Sequence, residues 1–475
     1  MRVWLFMKRR DLLKTTLAGG ALLPLSKDSL AEKEPKAASL KNHQKGAEIL
    51  RGGPLVNLER AYKVMAEENL DGLIVTQPIN FYYFTGYHDH LAVRHDAPSS
   101  FALITRNEKQ PISIIMNQFI YYFCVADSNF KWPSDVYLFT GWDKKIVGTN
   151  PDTKPSNKEP KASSPFVFQD KKQMPQSYIE KNRLEKLDIA LENIPESADA
   201  RWALTKAIRN NGLEKSKIGI DHPVINRVIN TSGLDIKTVD GDHALRKIRL
   251  IKTPREIELM RITAENNATA ALNAVRAVRA GANHFELKSL FFSECAKLGN
   301  MPLLLQIDSV NSEVFNTELK DGDAFAIDGV SQAFHYTGDY GRTVFLGEPS
   351  HSMKKATDAI AIGWDAVREK LKPGLRYSEI RTIGRDAIKK SGYNFNVAVT
   401  PHSVGLSHTD EPGRDGPGSY WVKDDLVLEE NMIISVDMPV LHTGIGGSAH
   451  LEDLTLITKD GSEQINDIGD RIVIV

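Results

Sequence analysis

Two aspartates stand inside neighbouring apolar runs of the segment AFAIDGVSQAFHYTGDYGRTVFLG, which spans residues 324–347. Asp328 and Asp339 lie eleven positions apart, with glycines between them. An unpaired carboxylate within a buried strand is costly, because burial removes its hydration. The segment therefore predicts that positive charge from elsewhere compensates these side chains. Taken alone, it also allows a simpler interpretation, since Asp beside Gly is common in turns.

Further acidic and imidazole side chains follow in the second half of the chain. His402 and His408 occur in TPHSVGLSHTDEPG, Asp437 in MIISVDMPV and Glu452 in AHLEDLTLITKDG. Carboxylates that converge on one core repel one another unless cations hold them, and two divalent ions supply the balancing charge. An oxygen-rich donor set of this kind favours hard or borderline ions such as Mn²⁺, Co²⁺ or Zn²⁺. The alternatives are a hydrogen-bonded core histidine at 402 and an ordinary loop histidine at 408.

The N-terminal part of the chain shows alternating helical and strand patterns. The amphipathic stretch NLERAYKVMAEENL leads into GLIVT, and FALIT, ISIIM, VYLFT and SKIGID follow as short apolar runs. Such runs between helices predict an α/β domain over residues 56–245. Residues 32–55 are lysine-rich and lack periodicity, which predicts a flexible linker. Residues 143–165 contain prolines, lysines and serines and are predicted to form a flexible, solvated insertion.

A second domain is predicted over residues 246–475. Thr253, Pro254 and Glu256 form a strong helix-start signal, a capping box with proline in the first turn. A pattern of Gly, Glu and Gly then occurs twice, at residues 281, 286 and 299 and at residues 374, 379 and 392. Two helical hairpins, each followed by a β-rich segment, predict an α+β domain of pseudo-twofold symmetry with a site between its halves.

The composition is that of an ordinary soluble protein of 475 residues, with 41% hydrophobic and 25% charged side chains. Sixty basic residues against 61 acidic ones exclude a bulk electrostatic attraction to nucleic acid. Cys124 and Cys295 are the only cysteines, too few for a disulfide framework or a thiolate zinc site. Both are predicted to be core thiols.

The first residues differ from the rest of the chain. Arg9 and Arg10 precede a weakly apolar run over residues 15–25, and small residues ending at Ala31 suit cleavage. This pattern resembles a twin-arginine export signal over residues 1–31 and predicts a periplasmic protein without stable membrane association after export. The alternative is a basic amphipathic helix or a membrane anchor.

Taken in order, the motifs resemble the metallopeptidase family of Xaa-Pro aminopeptidases, prolidases and methionine aminopeptidases. LDGLIVTQPINFYYFTGY is similar to the creatinase-type N-terminal domain, DGDAFAIDG and GDYGRT to the first metal motif, and HSVGL, SVDMP and LEDLTLIT to the later ones. The resemblance implies a creatinase-type α/β domain followed by an α+β catalytic domain of the pita-bread fold. It also implies a hydrolase, either an Xaa-Pro aminopeptidase or an Xaa-Pro dipeptidase.

The same fold hosts creatinase and other non-peptidases, so fold alone does not fix the function. A non-peptidase that acts on a small amide or zwitterion, and a catalytically silent binding protein, are the alternatives.

The resemblance also implies roles for individual residues. Asp437 is the expected general base, and His408 is expected to stabilise the oxyanion or orient a small peptide substrate. The family further implies a homodimer. Two divalent ions are expected, Mn²⁺ foremost with Co²⁺ or Zn²⁺ as alternatives, and their expected ligands are Asp328, Asp339, His402, Asp437 and Glu452, with Asp339 and Glu452 bridging.

Several positions depart from the family pattern. Asp437 stands where the family mostly has Glu, and His408 follows His402 by one step fewer than usual. Residues 301–320 contain no histidine, although peptidases carry one there, while His335 lies in the following hairpin. His450 occupies a place where proline-specific peptidases often have arginine. His335 and His450 are therefore predicted, with His408, as substrate contacts.

Four further predictions concern the surroundings of the site. Arg342 is expected to form a buried structural ion pair. The loop HDHLAVRH is expected near the mouth of the active site. The aromatic residues of the hairpin are candidates for an apolar pocket that holds a proline ring. These candidates are Phe334, Tyr336 and Tyr340.

Overall fold

The computed structural model describes residues 36–89, 100–124, 134–140, 158–162, 174–310 and 312–475. The predicted export signal and most of the predicted insertion over residues 143–165 lie outside these ranges, as do His90 and His95. Within them, no helix combines the length and the apolar character that crossing a bilayer requires.

The helices are numbered in chain order through the described ranges. They are α1 (Lys36–Arg51), α2 (Leu58–Glu67), α3 (Pro78–Thr85), α4 (Gln118–Cys124), α5 (Tyr178–Asn193), α6 (Ala200–Asn210), α7 (Pro223–Asn230), α8 (Asp242–Leu250), α9 (Pro254–Ala277), α10 (His284–Leu298), α11 (His351–Arg368) and α12 (Tyr377–Lys390).

The strands are numbered in the same way. They are β1 (Gly72–Val75), β2 (Ser100–Thr105), β3 (Ile112–Asn117), β4 (Ser134–Phe139), β5 (Lys217–Ile220), β6 (Lys237–Asp240), β7 (Met301–Ile307), β8 (Ala324–Ala333), β9 (Tyr336–Phe345), β10 (Thr400–Ser403), β11 (Gly413–Gly416), β12 (Ser419–Lys423), β13 (Ile433–Asp437), β14 (Thr455–Ile457), β15 (Ser462–Gln464) and β16 (Ile472–Ile474).

The N-terminal domain is built on a mixed sheet in the order β4-β3-β2-β1-β5-β6. Its central strands are buried on both faces, so they are apolar throughout instead of alternating with polar residues. Leu73 and Val75 enter one core of this sheet, and Ile74 enters the core on the opposite face. Helices cover both faces, as the sequence predicts for an α/β domain.

Helix α1 contradicts the predicted flexible linker over residues 32–55, because residues 36–51 are helical. Ile49 and Leu50 at its end pack against the core, while a glycine and polar groups contact the C-terminal half, so the sequence shows no regular apolar stripe. A Cβ at Gly46 would lie 2.0 Å from the ring of Phe334, which shows how closely the helix approaches that ring. Asn42 donates a hydrogen bond to Asn266 (3.1 Å), and Lys45 pairs with Glu258 (2.8 Å).

The C-terminal half contains the two predicted helical hairpins, α9–α10 and α11–α12. Thr253 caps α9 with Pro254 in the first turn and Glu256 completing a capping box, as the sequence predicts. Gly299 ends α10 in the left-handed region at φ 91°, and Gly392 follows α12 at φ 84°. The repeated glycines therefore mark the helix ends, where a residue without Cβ is favoured.

Two four-stranded sheets follow these hairpins, in the orders β16-β9-β8-β7 and β10-β13-β14-β15. An antiparallel bridge between Gly341 of β9 and Glu452 joins the two halves. Arg342 lies beside this bridge, fully buried, and pairs with Asp453 at 2.7 Å. The predicted structural ion pair is thus present at the seam between the two sheets.

Candidate metal centre

The β8–β9 hairpin places the first two aspartates on one face. Its register pairs Asp328 with Gly341 and Val330 with Asp339. Asp339 is therefore two residues from the position opposite Asp328, and side chains two apart on a strand point to the same side. The eleven-residue spacing follows from this register and from the two-residue turn at Phe334 and His335.

The second half of the domain brings the other three residues to the same place. His402 lies on β10 opposite Ser435, and Asp437 ends β13, the adjacent strand. Glu452 reaches the hairpin because its backbone exchanges two hydrogen bonds with Gly341, at 3.2 and 3.3 Å. Gly341 thus lies between Asp328 and Glu452 in three neighbouring chain segments.

The side-chain atoms converge around His402. Its Nε2 atom lies 3.2 Å from Asp437 Oδ1, 3.5 Å from Glu452 Oε1 and 3.6 Å from Asp339 Oδ2. His408 Nε2 lies 3.1 Å from Asp339 Oδ2. Among the residues that the structure describes, three sets of potential metal ligands result, and within each set the donor atoms lie within 4.8 Å of one another. The sets are Asp339–His402–His408, Asp328–His450–Glu452 and His402–Asp437–Glu452.

Several of these atoms are buried without a hydrogen-bond partner. They include Oδ1 of Asp328, Nδ1 of His402 and both oxygens of Asp339, whose close contacts with the two imidazoles lack hydrogen-bond geometry. A buried polar group without a partner is costly, and buried carboxylates are otherwise paired or bound to metals. Unpaired oxygens that face one another therefore fit divalent cations well. The five residues expected as ligands are all brought together here.

The electrostatics agree with this fit. Burial, followed by the charge of Glu452, raises the pKa of Asp339 well above its ordinary value, and the same causes raise the pKa of Asp328 to about 6. Burial lowers the pKa of His402, but the carboxylate of Asp437 and its neighbours outweigh that effect and raise the pKa overall. The cluster thus holds excess negative charge that cations would neutralise.

The loop that carries His408 is fixed by two buried acids that sequence reasoning missed. Asp410 accepts hydrogen bonds from Arg249 of α8, the shortest at 2.7 Å. Glu411 accepts from the backbone N–H of Ser403, next to His402, at 3.1 Å, and pairs with Lys423 at 2.7 Å. The letters DEP at residues 410–412, one residue after His408, were the available signal.

The Arg249–Asp410 pair also reaches into the N-terminal domain. Arg249 donates a further hydrogen bond to Asn80 of α3, and Asn80 donates to Asp221 at 2.9 Å. Lys252, fully buried, donates to the hydroxyl of Ser403 at 3.3 Å. Both domains therefore help to hold the loop between His402 and His408.

The structure does not bring His335 to the cluster. His335 lies at the tip of the β8–β9 hairpin, where its ring contacts Tyr82 and stacks on His88, each at 4.4 Å between centroids. None of the potential ligand sets found among the described residues includes it. The hairpin turn thus carries His335 toward the N-terminal domain, and its predicted role as a substrate contact stays a prediction.

The predicted proline pocket is wrong for Tyr336 and Tyr340, and for Phe334 it stays a prediction. Tyr336 and Tyr340 are fully buried, and their hydroxyls donate to Glu256 (2.9 Å) and to the carbonyl of Ile468 (2.7 Å). Phe334 lies at the hairpin tip, where Tyr82 donates to its carbonyl and α1 packs on its ring. Side chains alternate between the two faces of β9, but the sequence does not show which face is covered by other segments of the chain.

Other residues support the cluster without being ligand candidates. Ser435 donates to Glu452 Oε1 at 2.5 Å, and Asn466 donates to the carbonyl of Asp339 at 2.7 Å. Nothing in the sequence distinguishes these two from other buried polar residues. Cys295 is buried, as predicted.

Comparisons with known proteins agree with this geometry. Residues 57–158 match the model of the creatinase/prolidase N-terminal domain, and residues 258–459 match the model of metallopeptidase family M24. An Xaa-Pro dipeptidase of Pyrococcus furiosus is 24% identical over 243 residues, which is 47% of this chain and 65% of that protein. The Xaa-Pro dipeptidase of Pyrococcus horikoshii is 24% identical over 298 residues, which is 58% of this chain and 78% of that protein.

Solved structures show the same fold. An Xaa-Pro dipeptidase from Bacillus anthracis superposes with a TM-score of 0.63 at 17% identity, over 90% of this chain and all of that one. The prolidase from Pyrococcus horikoshii gives 0.59 at 20% identity, over 86% of this chain and 99% of that one. The predicted creatinase-type and pita-bread domains are thereby confirmed.

Proposed function

The chain belongs to metallopeptidase family M24, and on that premise we propose that it is a dinuclear-metal-dependent peptidase that cleaves the bond before proline. The relatives named Xaa-Pro dipeptidase support this specificity. The proposed substrates are Xaa-Pro dipeptides or peptides that begin with Xaa-Pro. The observation that carries the proposal is the set of buried, unpaired donor atoms on Asp328, Asp339 and His402.

The ions would be held by Asp328, Asp339, His402, Asp437 and Glu452, the residues whose donor atoms converge. When bound, a pair of divalent ions polarises a scissile carbonyl and lowers the pKa of a shared water toward neutrality. Mn²⁺ is the proposed metal, because carboxylate oxygens dominate the donor set, with Co²⁺ or Zn²⁺ as alternatives.

Asp437 is the proposed general base. Its side chain is 25% exposed, whereas those of Asp339, His402 and Glu452 are almost fully buried. Asp437 Oδ1 lies beside His402, which leaves Oδ2 to accept a proton from the attacking water. Burial, followed by the charge of Glu452, raises the pKa of Asp437 in the metal-free protein.

His408 is the proposed contact for the substrate carbonyl. Its side chain is 44% exposed while its Nε2 atom reaches Asp339, so it lies at the open side of the cluster. An imidazole N–H at this position can donate to the oxygen that gains negative charge as water attacks. The buried acids Asp410 and Glu411 fix the loop that presents it.

Purified protein, stripped of metal and reconstituted with Mn²⁺, Co²⁺ or Zn²⁺, tests the proposal on Xaa-Pro dipeptides and on longer peptides that begin with Xaa-Pro. Matched Xaa-Ala peptides serve as substrate controls. We expect metal-dependent cleavage before proline, loss of metal and activity in Asp339→Ala, and no change in the exposed control Glu313→Gln. A metal-loaded protein that cleaves no peptide of the panel would refute the proposal.

Export and assembly are proposed from the sequence and the family resemblance alone. The paired Arg9 and Arg10 support twin-arginine export to the periplasm, with cleavage after Ala31. Replacement of both arginines by lysine should leave the protein in the cytoplasmic fraction, and periplasmic recovery of that variant would contradict the proposal. A homodimer is likewise proposed, and light scattering of the purified protein tests it.

A further inference from the structure

We infer that His450 is a metal ligand, so that one of the two ions is held by an imidazole together with the carboxylates of Asp328 and Glu452. This inference rests on the proposed function, since it concerns the same dinuclear centre. It differs from the expected set of five ligands, which contains one imidazole, and from the prediction that His450 contacts substrate.

The position of the His450 ring supports ligation. Its Nε2 atom lies 3.4 Å from Glu452 Oε2 and has no hydrogen-bond partner, although the side chain is only 9% exposed. The facing Oδ1 atom of Asp328 is also buried without a partner. Donor atoms of His450, Asp328 and Glu452 lie within 4.8 Å of one another, so a single cation can satisfy all three.

The backbone around His450 is built to hold the ring in this place. The N–H of His450 donates to Thr343 Oγ1 at 3.0 Å, and that hydroxyl donates back to the carbonyl of His450 at 3.1 Å. The ring packs against Gly341, where an added Cβ would lie 2.9 Å from His450 Nδ1 and 3.0 Å from Cβ of Glu452. Any larger residue at Gly341 would displace the ring or Glu452.

Glu452 lies between two imidazoles. His402 Nε2 is 3.5 Å from its Oε1 atom, and His450 Nε2 is 3.4 Å from its Oε2 atom. If Glu452 presented one oxygen to each of two ions, each ion would have one imidazole within reach. Imidazole donors suit transition ions such as Zn²⁺ better than Ca²⁺ and Mg²⁺, and both positions should then share that preference.

Burial distinguishes this role from a substrate contact. His408, on the open side of the cluster, is 44% exposed, whereas His450 is almost fully enclosed by protein atoms. An enclosed imidazole whose nitrogen has no partner is destabilising, and a cation beside Asp328 and Glu452 removes that cost. The position where related proline-specific peptidases often carry arginine would therefore hold a neutral metal ligand.

The test measures metal binding directly on the full-length protein. Metal-free protein is titrated with Co²⁺ by calorimetry and by equilibrium dialysis with elemental analysis. The variants are His450→Ala and His450→Gln, because Gln keeps volume and polarity but removes the imidazole. His351→Ala, an exposed histidine at the start of α11, is the matched control. Proton NMR of the Co²⁺-loaded protein counts the paramagnetically shifted imidazole N–H signals.

We expect two ions in the wild type and in His351→Ala. Both His450 variants should bind one ion at least about 10-fold more weakly, equivalent to about 1.4 kcal/mol, and should lose one shifted imidazole signal. If both variants bind two ions with unchanged affinity and unchanged signals, the inference is wrong, whereas the proposed function stands. If the wild type binds no divalent ion, both the inference and the proposed function are overturned.

Discussion

The buried pair of Arg249 and Asp410 gives the sharpest test of how the domains position the site. The side chains are 4% and 1% exposed, and the shortest contact between them is 2.7 Å. The pair connects α8 to the loop that carries His408. Replacing either partner should therefore lower both the stability of the fold and the catalytic rate.

The expected magnitudes follow from the charges around the pair. Removing one partner of a buried ion pair costs about 3–5 kcal/mol, because it leaves the other charge without compensation. Arg249→Met should lie near the lower end of that range, since Asp410 keeps Lys252 nearby and Arg246 at 3.9 Å. Asp410→Asn should lie near the upper end, because it leaves several cations facing a neutral side chain.

The double variant should cost less than the sum of the two single variants, by about 3 kcal/mol, the upper end of measured interaction energies. Asp410→Asn should also lower kcat by up to about 100-fold through misplacement of His408, while the metal content is unchanged. Burial raises the pKa of Asp410, but Arg249 outweighs burial and holds it below 3.8. The stability from this pair is therefore complete at pH 7 and is lost as pH falls through the folded pKa.

Urea unfolding at pH 7, followed by tryptophan fluorescence and circular dichroism, measures the four proteins of the cycle. The exposed pair of Arg261 and Glu463, with contacts of 2.6 and 2.7 Å, provides a matched control cycle. Its coupling should stay below about 1 kcal/mol. If the coupling free energy of Arg249 and Asp410 is no larger than that of the control pair, then burial does not strengthen the interaction and the expected magnitudes are wrong.

Three further outcomes are expected. Asp339→Asn should raise the melting temperature of metal-free protein, because burial and Glu452 make this carboxylate unfavourable, and should abolish the rise that metal produces. Burial raises the pKa of Glu256 to about 7, so stability should fall by about 3 kcal/mol as pH rises from 4.5 to 7, and urea unfolding of Glu256→Gln should show a flatter profile. His408→Ala should lower kcat by about 100- to 1000-fold while elemental analysis finds unchanged metal content.

Each of these outcomes has a result that would contradict it. If metal-free Asp339→Asn melts at a lower temperature than metal-free wild type, then repulsion between carboxylates does not reduce the stability of the metal-free protein. A pH profile shared by wild type and Glu256→Gln would mean that Glu256 titrates alike in folded and unfolded protein. Metal loss in His408→Ala would make that residue a ligand, which its place in one of the three clusters allows.

The sequence predicts the features that depend on neighbours along the chain. The capping box at Thr253, the glycines after α10 and α12 and the apolar strands of the first sheet all follow from local rules. The side shared by Asp328 and Asp339 also follows, because a two-residue turn fixes the register of the hairpin. The motif order then identifies the five expected ligands through the family resemblance.

Local rules fail where contacts between distant segments decide the outcome. Helix α1 combines Ile49 and Leu50 at one end with contacts made by a glycine and polar groups, so its sequence shows no regular apolar stripe and resembles a linker. Tyr336 and Tyr340 look like pocket residues, but α9 and the C-terminal segment cover them. His335 is close to Asp339 in sequence, yet the turn directs its ring to Tyr82 and His88.

By itself, the sequence determined the residue types, the strand register and the motif order from which a two-metal hydrolase can be inferred. Only the tertiary structure decided which nitrogen and oxygen atoms are left without partners, and it moved His450 from the expected substrate contacts into the cluster with Asp328 and Glu452. The physical reason is that the burial and the hydrogen bonds of these side chains depend on contacts between segments more than a hundred residues apart in the chain. The segments meet at Gly341, where the absence of a Cβ atom leaves room for the side chains of His450 and Glu452.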